Sequence, residues 1–193
     1  MKKANIHQHY PLDYAGEEAL NAICTNLAFI GADKRKIVIT SNSPTEGKSW
    51  MTRHIAENMA RRGRRVVLVD ADMRRSFMVQ RYKLELEGEG QGLAHFLAGQ
   101  CDLNDVVYET DLYGMCLIPA GRDVVNPINL IESSDVEQML EALAQSMMLG
   151  RASETKQQDA LAFLKLAFYH CTTAEVEDAM VRVVDRGDVG SWL

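Results

Sequence analysis

"TSNSPTEGKSW", Thr40 to Trp50, follows the apolar run Ile37-Val38-Ile39 and precedes a stretch with helical spacing. A loop between a strand and a helix turns the helix's leading main-chain N–H groups toward one spot. The helix dipole makes that spot positive. Gly47 lets backbone approach an anion with no side chain between, and Lys48 can set its ammonium among the β- and γ-phosphates of a nucleotide. The Ser49 hydroxyl can ligate Mg²⁺. The pattern G-x-x-x-x-G-K-[ST] is incomplete, because its first glycine slot holds Asn42. Asn visits left-handed backbone more readily than most residues, so the substitution is tolerable. A bare E-G-K-S would equally suit an ordinary strand–helix connection; its position after "IVIT" favours a nucleotide.

Working outward, Ala19, Leu20, Ile23, Leu27 and Phe29 recur near helical spacing, which predicts a helix over 17–29. "KIVITS" reads as a short buried strand. Lys48 to Arg62 reads as a helix with Met51, Ile55, Met59 and Ala60 on one face and Gly63 as its C-cap. "RRVVLVDAD" is a second buried strand, and strand–helix–strand without a hairpin turn is the unit of a parallel sheet. Further on, "QGLAHFLAG" predicts a short helix closed by Gly99, and "MCLIPAG" a third strand. Asn126-Pro127 marks a turn into a helix, and Ser134 with Glu137 makes a capping-box pattern ahead of Val136, Met139, Leu140 and Leu143. Residues 1–16 read as a mobile lead-in without periodicity, and 154–184 as helical throughout.

The second strand ends in Asp70 and Asp72. Alternate residues of extended chain point the same way, so both carboxylates are expected on one side of the sheet's C-terminal edge, where open α/β folds bind ligands. Two hard oxygen anions there suit Mg²⁺, directly or through its waters. The competing reading has a carboxylate capping the next turn, or pairing with Arg74 or Arg75.

The chain of 193 residues, with 47% hydrophobic and 25% charged residues, suits one soluble domain with a real core. No apolar run is long enough to cross a bilayer, and the N-terminal stretch lacks the apolar segment of a secretory signal. Cys24, Cys101, Cys116 and Cys171 form no C-x-x-C pair, which favours reduced thiols and a cytoplasmic location. The formal net charge of −6 hides a basic stretch from Lys34 to Lys83, suited to a polyanionic ligand or an acidic partner surface. Arg61 to Arg65 within it reads equally as a solvated helix face. His54 and His95, inside predicted helices, and the methionines read as surface or core residues.

"SNSPTEGKS", "VVLVDADMRRS", "GLAHFLAG" and "IPAG…NPINLIESS" occur in the order and spacing of the bacterial tyrosine kinases of capsular and exopolysaccharide synthesis. The chain resembles that family, whose fold is of the P-loop type shared with partitioning ATPases, from about Glu17 to Gln145. The resemblance implies a parallel sheet flanked by helices, with a P-loop nucleotide-binding kinase domain at 17–145, a lead-in at 1–16 and an unrelated tail at 146–193. It implies ATP and Mg²⁺ as ligands. Ser43, Pro44, Thr45, Glu46, Gly47, Lys48, Ser49 and Trp50 would form the phosphate loop, and Ser49, Asp70 and Asp72 would serve the metal. Asp70 would engage the acceptor tyrosine's hydroxyl, with Lys48 and Asp72 completing the catalytic set. Implied partners are a membrane chain-length regulator that activates the kinase at the inner face of the plasma membrane, and a tyrosine acceptor in the chain itself, a neighbouring copy or another protein. Nucleic acid is not expected.

Three departures from the family stand out. Where it carries two arginines in Glu-x-x-Arg-x-x-Arg-Thr-Asn, this chain has Asn21 and Cys24 beside the matching Glu18, Thr25 and Asn26, removing two charge-assisted contacts from ring assembly. The terminal tyrosine cluster is reduced to Tyr169. After "LEALAQS" the family's apolar strand ending in Asp-x-Pro-Pro is replaced by "MMLGRASETKQQDALAFLKLAFYHC", with Val181 to Asp185 as the remaining candidate. The sheet is therefore expected to lack a strand beside that of the phosphate loop, and catalysis to be impaired. Two other functions fit the residues: a non-catalytic nucleotide-binding regulator docking on a membrane partner, and a partitioning-type ATPase. The second lacks its usual extra lysine, where Ser43 stands.

Overall fold

The computed structural model describes residues 1–29, 36–40, 45–131, 134–149 and 160–165. Its elements run β1 (Lys2–Ile6), α1 (Tyr14–Phe29), β2 (Lys36–Ile39), α2 (Lys48–Arg61), β3 (Arg65–Asp70), α3 (Met78–Arg81) and β4 (Leu84–Leu86). They continue α4 (Leu93–Leu97), α5 (Leu103–Val106), β5 (Tyr108–Thr110), β6 (Met115–Ile118), α6 (Pro127–Ile131), α7 (Ser134–Leu149) and β7 (Ala160–Lys165). Among the described residues, seven strands form one sheet in the order β2-β7-β3-β6-β5-β1-β4. The half from β2 to β6 is parallel, as expected; β5 runs antiparallel to β6, and β4 antiparallel to β1.

Alternation along β3 sets the layers. Val67 and Val69 face one core, with Val136, Met139, Leu140 and Leu143 of α7 and residues of α4, α5 and α6. Val66 and Leu68 face the other, with Leu20 and Cys24 of α1 and Ile55 and Met59 of α2. Helices thus cover both sides of β3, which is why its sequence reads as continuous Val and Leu without polar alternation.

Two expectations are corrected. The N-terminal residues are no free lead-in: β1 inserts between β5 and β4, with Ala4 and Ile6 buried. Two inward positions are too few to register as a period of two. Residues 160–165, expected to be helical, form β7, parallel to both β2 and β3. A continuous apolar run satisfies a buried strand as well as a buried helix. Here the unpaired main-chain groups of β2 and β3 decide, since a strand between them satisfies both. The strand expected to be missing from beside β2 is therefore present. Val181 to Asp185 lies outside the described residues.

Candidate nucleotide site

The site grows from the turn into α2. Gly47 is that helix's N-cap residue, with φ 88° and ψ 9°. This left-handed backbone is cheapest for glycine. Thr45 just before it holds φ 64°, a costly setting for a β-branched residue. Backbone held this way recurs where a loop is shaped for a ligand. Gly47 has no side chain to cap α2, and Met51 N–H donates to Gly47 O at 2.8 Å to close the first turn. Lys48 opens the helix and is buried, as is Thr52, whose Oγ1 donates to Lys48 O at 2.6 Å. Ser43 and Pro44, placed in the phosphate loop from sequence, lie outside the described residues with Asn42. Thr45, Glu46, Gly47, Lys48, Ser49 and Trp50 fall together at the turn and first helical residues, as expected.

The rest of α2 is locked by polar contacts rare in a core. Arg53 is 3% exposed; its Nε donates to Glu57 Oε1 at 2.6 Å and one terminal nitrogen donates to Gln8 O at 3.0 Å. Its guanidinium lies 3.9 Å from the centre of the Tyr82 ring. His54 sets its ring nitrogens against Trp50 O (2.8 Å) and Tyr10 O (3.0 Å), and stacks 4.2 Å from the Trp50 ring. The chain leaving β1 is thereby pinned to α2 just past Lys48. The histidines behave as satisfied residues, His95 Nδ1 accepting Gly92 N–H at 3.1 Å.

At the tip of β3, Asp70 is 0% and Asp72 4% exposed. Asp72 N–H donates to Asp70 Oδ1 at 3.1 Å, and Arg75 N–H donates to Asp72 Oδ1 at 3.2 Å. Asp72 thus caps the following turn, the competing role foreseen for it, while remaining at the same sheet edge as Asp70. Ser76 was missed in the sequence: its Oγ donates to Asp70 Oδ2 at 2.5 Å and accepts Met78 N–H at 3.2 Å. The only signal was a hydroxyl six residues past an aspartate. Lys165 of β7 stands level with Asp70 on one side and Ile39 on the other.

For a divalent cation, Ser49, Asp70 and Asp72 supply hard oxygens at the edge from which α2 departs, which fits Mg²⁺. Among the described residues no three His, Cys, Asp or Glu side chains gather as a metal cage. Mg²⁺ habitually keeps waters and takes the rest of its shell from one or two carboxylates and substrate phosphates.

Elsewhere, Asn21 and Cys24 turn toward α2 of the same chain. Asn21 Oδ1 accepts from Asn58 Nδ2 (3.1 Å) and an Arg62 terminal nitrogen (2.9 Å), and Cys24 is fully buried. Burial raises the Cys24 and Tyr82 ionisations and pushes the Cys116 thiol up to about 11.

A parallel strand, a glycine-kinked turn, a helix opening on Lys-Ser and two buried aspartates at a nearby strand tip define a P-loop NTPase-type fold. A family model described as an AAA domain matches residues 34–148, and the chain belongs to that family. It is 35% identical over 127 residues to the tyrosine-protein kinase CpsD of Streptococcus agalactiae, covering 66% of this chain and 55% of that protein. The chain spans about half the length of such curated relatives. The solved BceF tyrosine kinase domain superposes with a TM-score of 0.63 at 27% identity, over 86% of this chain and 71% of that one. At the level of fold alone, the septum site-determining protein MinD complexed with Mg-ADP, from Pyrococcus horikoshii, superposes at 0.50 with 18% identity, covering 77% of this chain and 54% of that one. The homologues are bacterial tyrosine kinases.

Proposed function

We infer that this chain binds ATP with Mg²⁺ and transfers the γ-phosphoryl group to tyrosine hydroxyls, as a protein-tyrosine kinase of capsular or exopolysaccharide synthesis. The observation that carries the reading is the placement of Lys48, buried at the head of α2, at the same sheet edge as buried Asp70 and Asp72. The names of the relatives supply the chemistry. In this reading the turn at Thr45 to Gly47 and the first amides of α2 bind phosphate, together with Ser43 and Pro44. Trp50, its ring engaged with His54, contributes main-chain N–H. Lys48 neutralises the phosphates, and Ser49, Asp70 and Asp72 hold Mg²⁺, which offsets the charge on the transferring group. Asp70 takes the acceptor's proton. No helix among the described residues is long and apolar enough to cross a membrane. The proposed route to the inner face of the plasma membrane is a chain-length-regulator partner, with neighbouring copies of the chain as further acceptors.

Incubation with ATP and Mg²⁺ followed by phosphotyrosine detection tests this. A signal abolished by Lys48→Met is expected, and a chain that binds no ATP by calorimetry would overturn it. A second reading, a nucleotide-binding regulator with little transfer, is favoured by one feature: β7, the strand between β2 and β3, contains no acidic residue and ends in Lys165. ATP binding without phosphotyrosine would select it.

A further inference from the structure

We propose that the exposed ridge formed by Arg75, Phe77, Arg81 and Tyr10 docks the acceptor polypeptide and selects tyrosines with carboxylates beside them in sequence. The proposal rests on the kinase reading and names the substrate class that site would take.

The ridge is continuous. The Arg75 guanidinium lies 5.4 Å from the centre of the Phe77 ring, and that of Arg81 lies 5.8 Å from the centre of the Tyr10 ring. Phe77 and Arg81 are linked across the single turn of α3, where Arg81 N–H donates to Phe77 O at 2.7 Å, a spacing that makes their side chains neighbours. Tyr10 Oη donates to Arg81 O at 3.2 Å and fastens the far end. All four residues are exposed.

Both ends of the ridge are tied to elements of the nucleotide site. Ser76, between Arg75 and Phe77, is hydrogen-bonded through Oγ to Asp70 Oδ2. Tyr10 O lies 3.0 Å from His54 Nε2, about 9 Å along α2 from Lys48. A segment resting on the ridge therefore lies beside the strand tip where the kinase reading puts phosphoryl transfer.

Charge selects the occupant. Residues 73–84 contain Arg74, Arg75, Arg81 and Lys83 and no acid. Among the described residues, neither the Arg75 nor the Arg81 guanidinium is paired with a carboxylate. A guanidinium held over a ring still presents the N–H groups of its edge, which take a carboxylate in two parallel hydrogen bonds. The chain itself bears a segment of matching charge: Tyr113, 93% exposed, follows exposed Glu109 and Asp111. A neighbouring copy's turn at 109–115 thus meets the requirement. An anionic bilayer on the same ridge would lie against that strand tip and crowd out an acceptor, which favours polypeptide.

Fluorescence anisotropy with the full chain and labelled peptides tests this without ATP. The probes are ETDLYGM, residues 109–115, and its neutral counterpart QTNLYGM. The acidic peptide should bind roughly 5–20-fold more tightly, and Arg75→Gln with Arg81→Gln together should abolish the preference. Either single Gln variant should cut it at least about twofold, a reading that survives if the double variant does not fold. Arg75→Lys with Arg81→Lys keeps the charge and should keep part of the preference. Arg61→Gln, which removes an exposed charge at the other end of α2, should leave it intact. Equal binding of the two peptides, a preference that persists in the Gln variants, or one that Arg61→Gln removes as well would overturn the ridge. If the two arginines govern binding to phosphatidylserine vesicles and not the peptide preference, the ridge is a membrane contact and the proposal falls. Phosphoryl transfer from ATP–Mg²⁺ to ETDLYGM, followed alongside, keeps the two readings apart. Transfer without an arginine-dependent preference overturns the ridge alone. A preference without any transfer overturns the kinase reading and leaves a docking surface for acidic segments.

Discussion

Arg53 and Glu57 form a nearly dry ion pair one turn beyond the N-terminal end of α2, with side chains 4% and 12% exposed and 2.6 Å between Nε and Oε1. Arg53→Met removes the cation and leaves Glu57 buried without it. Breaking a buried pair from one side typically costs about 3–5 kcal/mol. The hydrogen bond to Gln8 O and the stacking on Tyr82 go as well, so the upper part of that range is expected. Glu57→Gln is milder, because its amide oxygen can still accept from Nε; about 1.5–3 kcal/mol is expected. The double variant has no orphaned charge, and its loss should fall short of the summed single losses by at least about 2 kcal/mol.

Urea unfolding followed by far-ultraviolet circular dichroism measures all three. With a slope near ~2 kcal/mol per molar urea, Arg53→Met should lower the midpoint by about 2 M. Additivity of the two single losses to within about 0.5 kcal/mol would refute the reasoning. The pair would then be a bystander, and α2 would be held by its apolar face alone. A loss confined to Arg53→Met, with Glu57→Gln silent, would point to the contacts with Gln8 and Tyr82.

Gly92→Ala should lower the melting temperature by roughly 5–15 °C in a thermal scan, because the new Cβ would lie 2.3 Å from Pro119 O and 2.4 Å from Gly121 N, both backbone atoms. Asp72→Asn keeps an oxygen to cap the turn at Arg75, so the fold should hold while the Mg²⁺ concentration needed for half-maximal ATP binding rises about tenfold, measured by calorimetry across a Mg²⁺ series. Among the described thiols, half-buried Cys101 should react with an aromatic disulfide first, and Cys24 and Cys116 only on unfolding. Burial lifts Cys116 from 9.0 to about 11, so its contribution to stability is complete below pH 9 and is lost as pH climbs through 11, which denaturation at stepped pH reads. Phosphotyrosine mapping by mass spectrometry should find Tyr113 and Tyr14, 93% and 80% exposed, and never Tyr82 or Tyr108, which are fully buried.

The parallel half of the sheet was legible because β3 is buried on both faces and β2, though only half-buried, is apolar from Ile37 to Ile39. Ile37 to Ile39 and Val66 to Val69 are apolar without alternation and are bounded by a glycine or charged residues, so few other readings compete. The antiparallel margin was not legible. β4 and β5 are three residues each, too short for any period to show, and β1 has only Ala4 and Ile6 to announce it. The positions of Lys48 at a helix start and of Asp70 and Asp72 at a strand tip were legible from the sequence. Ser76 and Arg53 were not: the turn from Asp70 to Ser76 has no period to show which hydroxyl folds back, and Gln8 and Tyr82 become neighbours of Arg53 only when α2 and the chain after β1 come together.

β7 separates two requirements that a sequence motif fuses. The gap between β2 and β3 must be filled, because two parallel strands with open edges would leave a row of buried amides and carbonyls unsatisfied. Any apolar segment of six residues meets that demand, and Ala160 to Lys165 does so with six paired positions against β3 and four against β2. A carboxylate at the strand's end is a demand of chemistry alone, and nothing in the hydrogen bonding of the sheet calls for it. An absent acidic motif is therefore no sign of an absent strand, and inferring an incomplete sheet from it joined two independent properties. What does differ is the residue at that register: the position level with Asp70 is a lysine. Among the described residues, the carboxylates at this edge are Asp70 and Asp72, at the tip of β3.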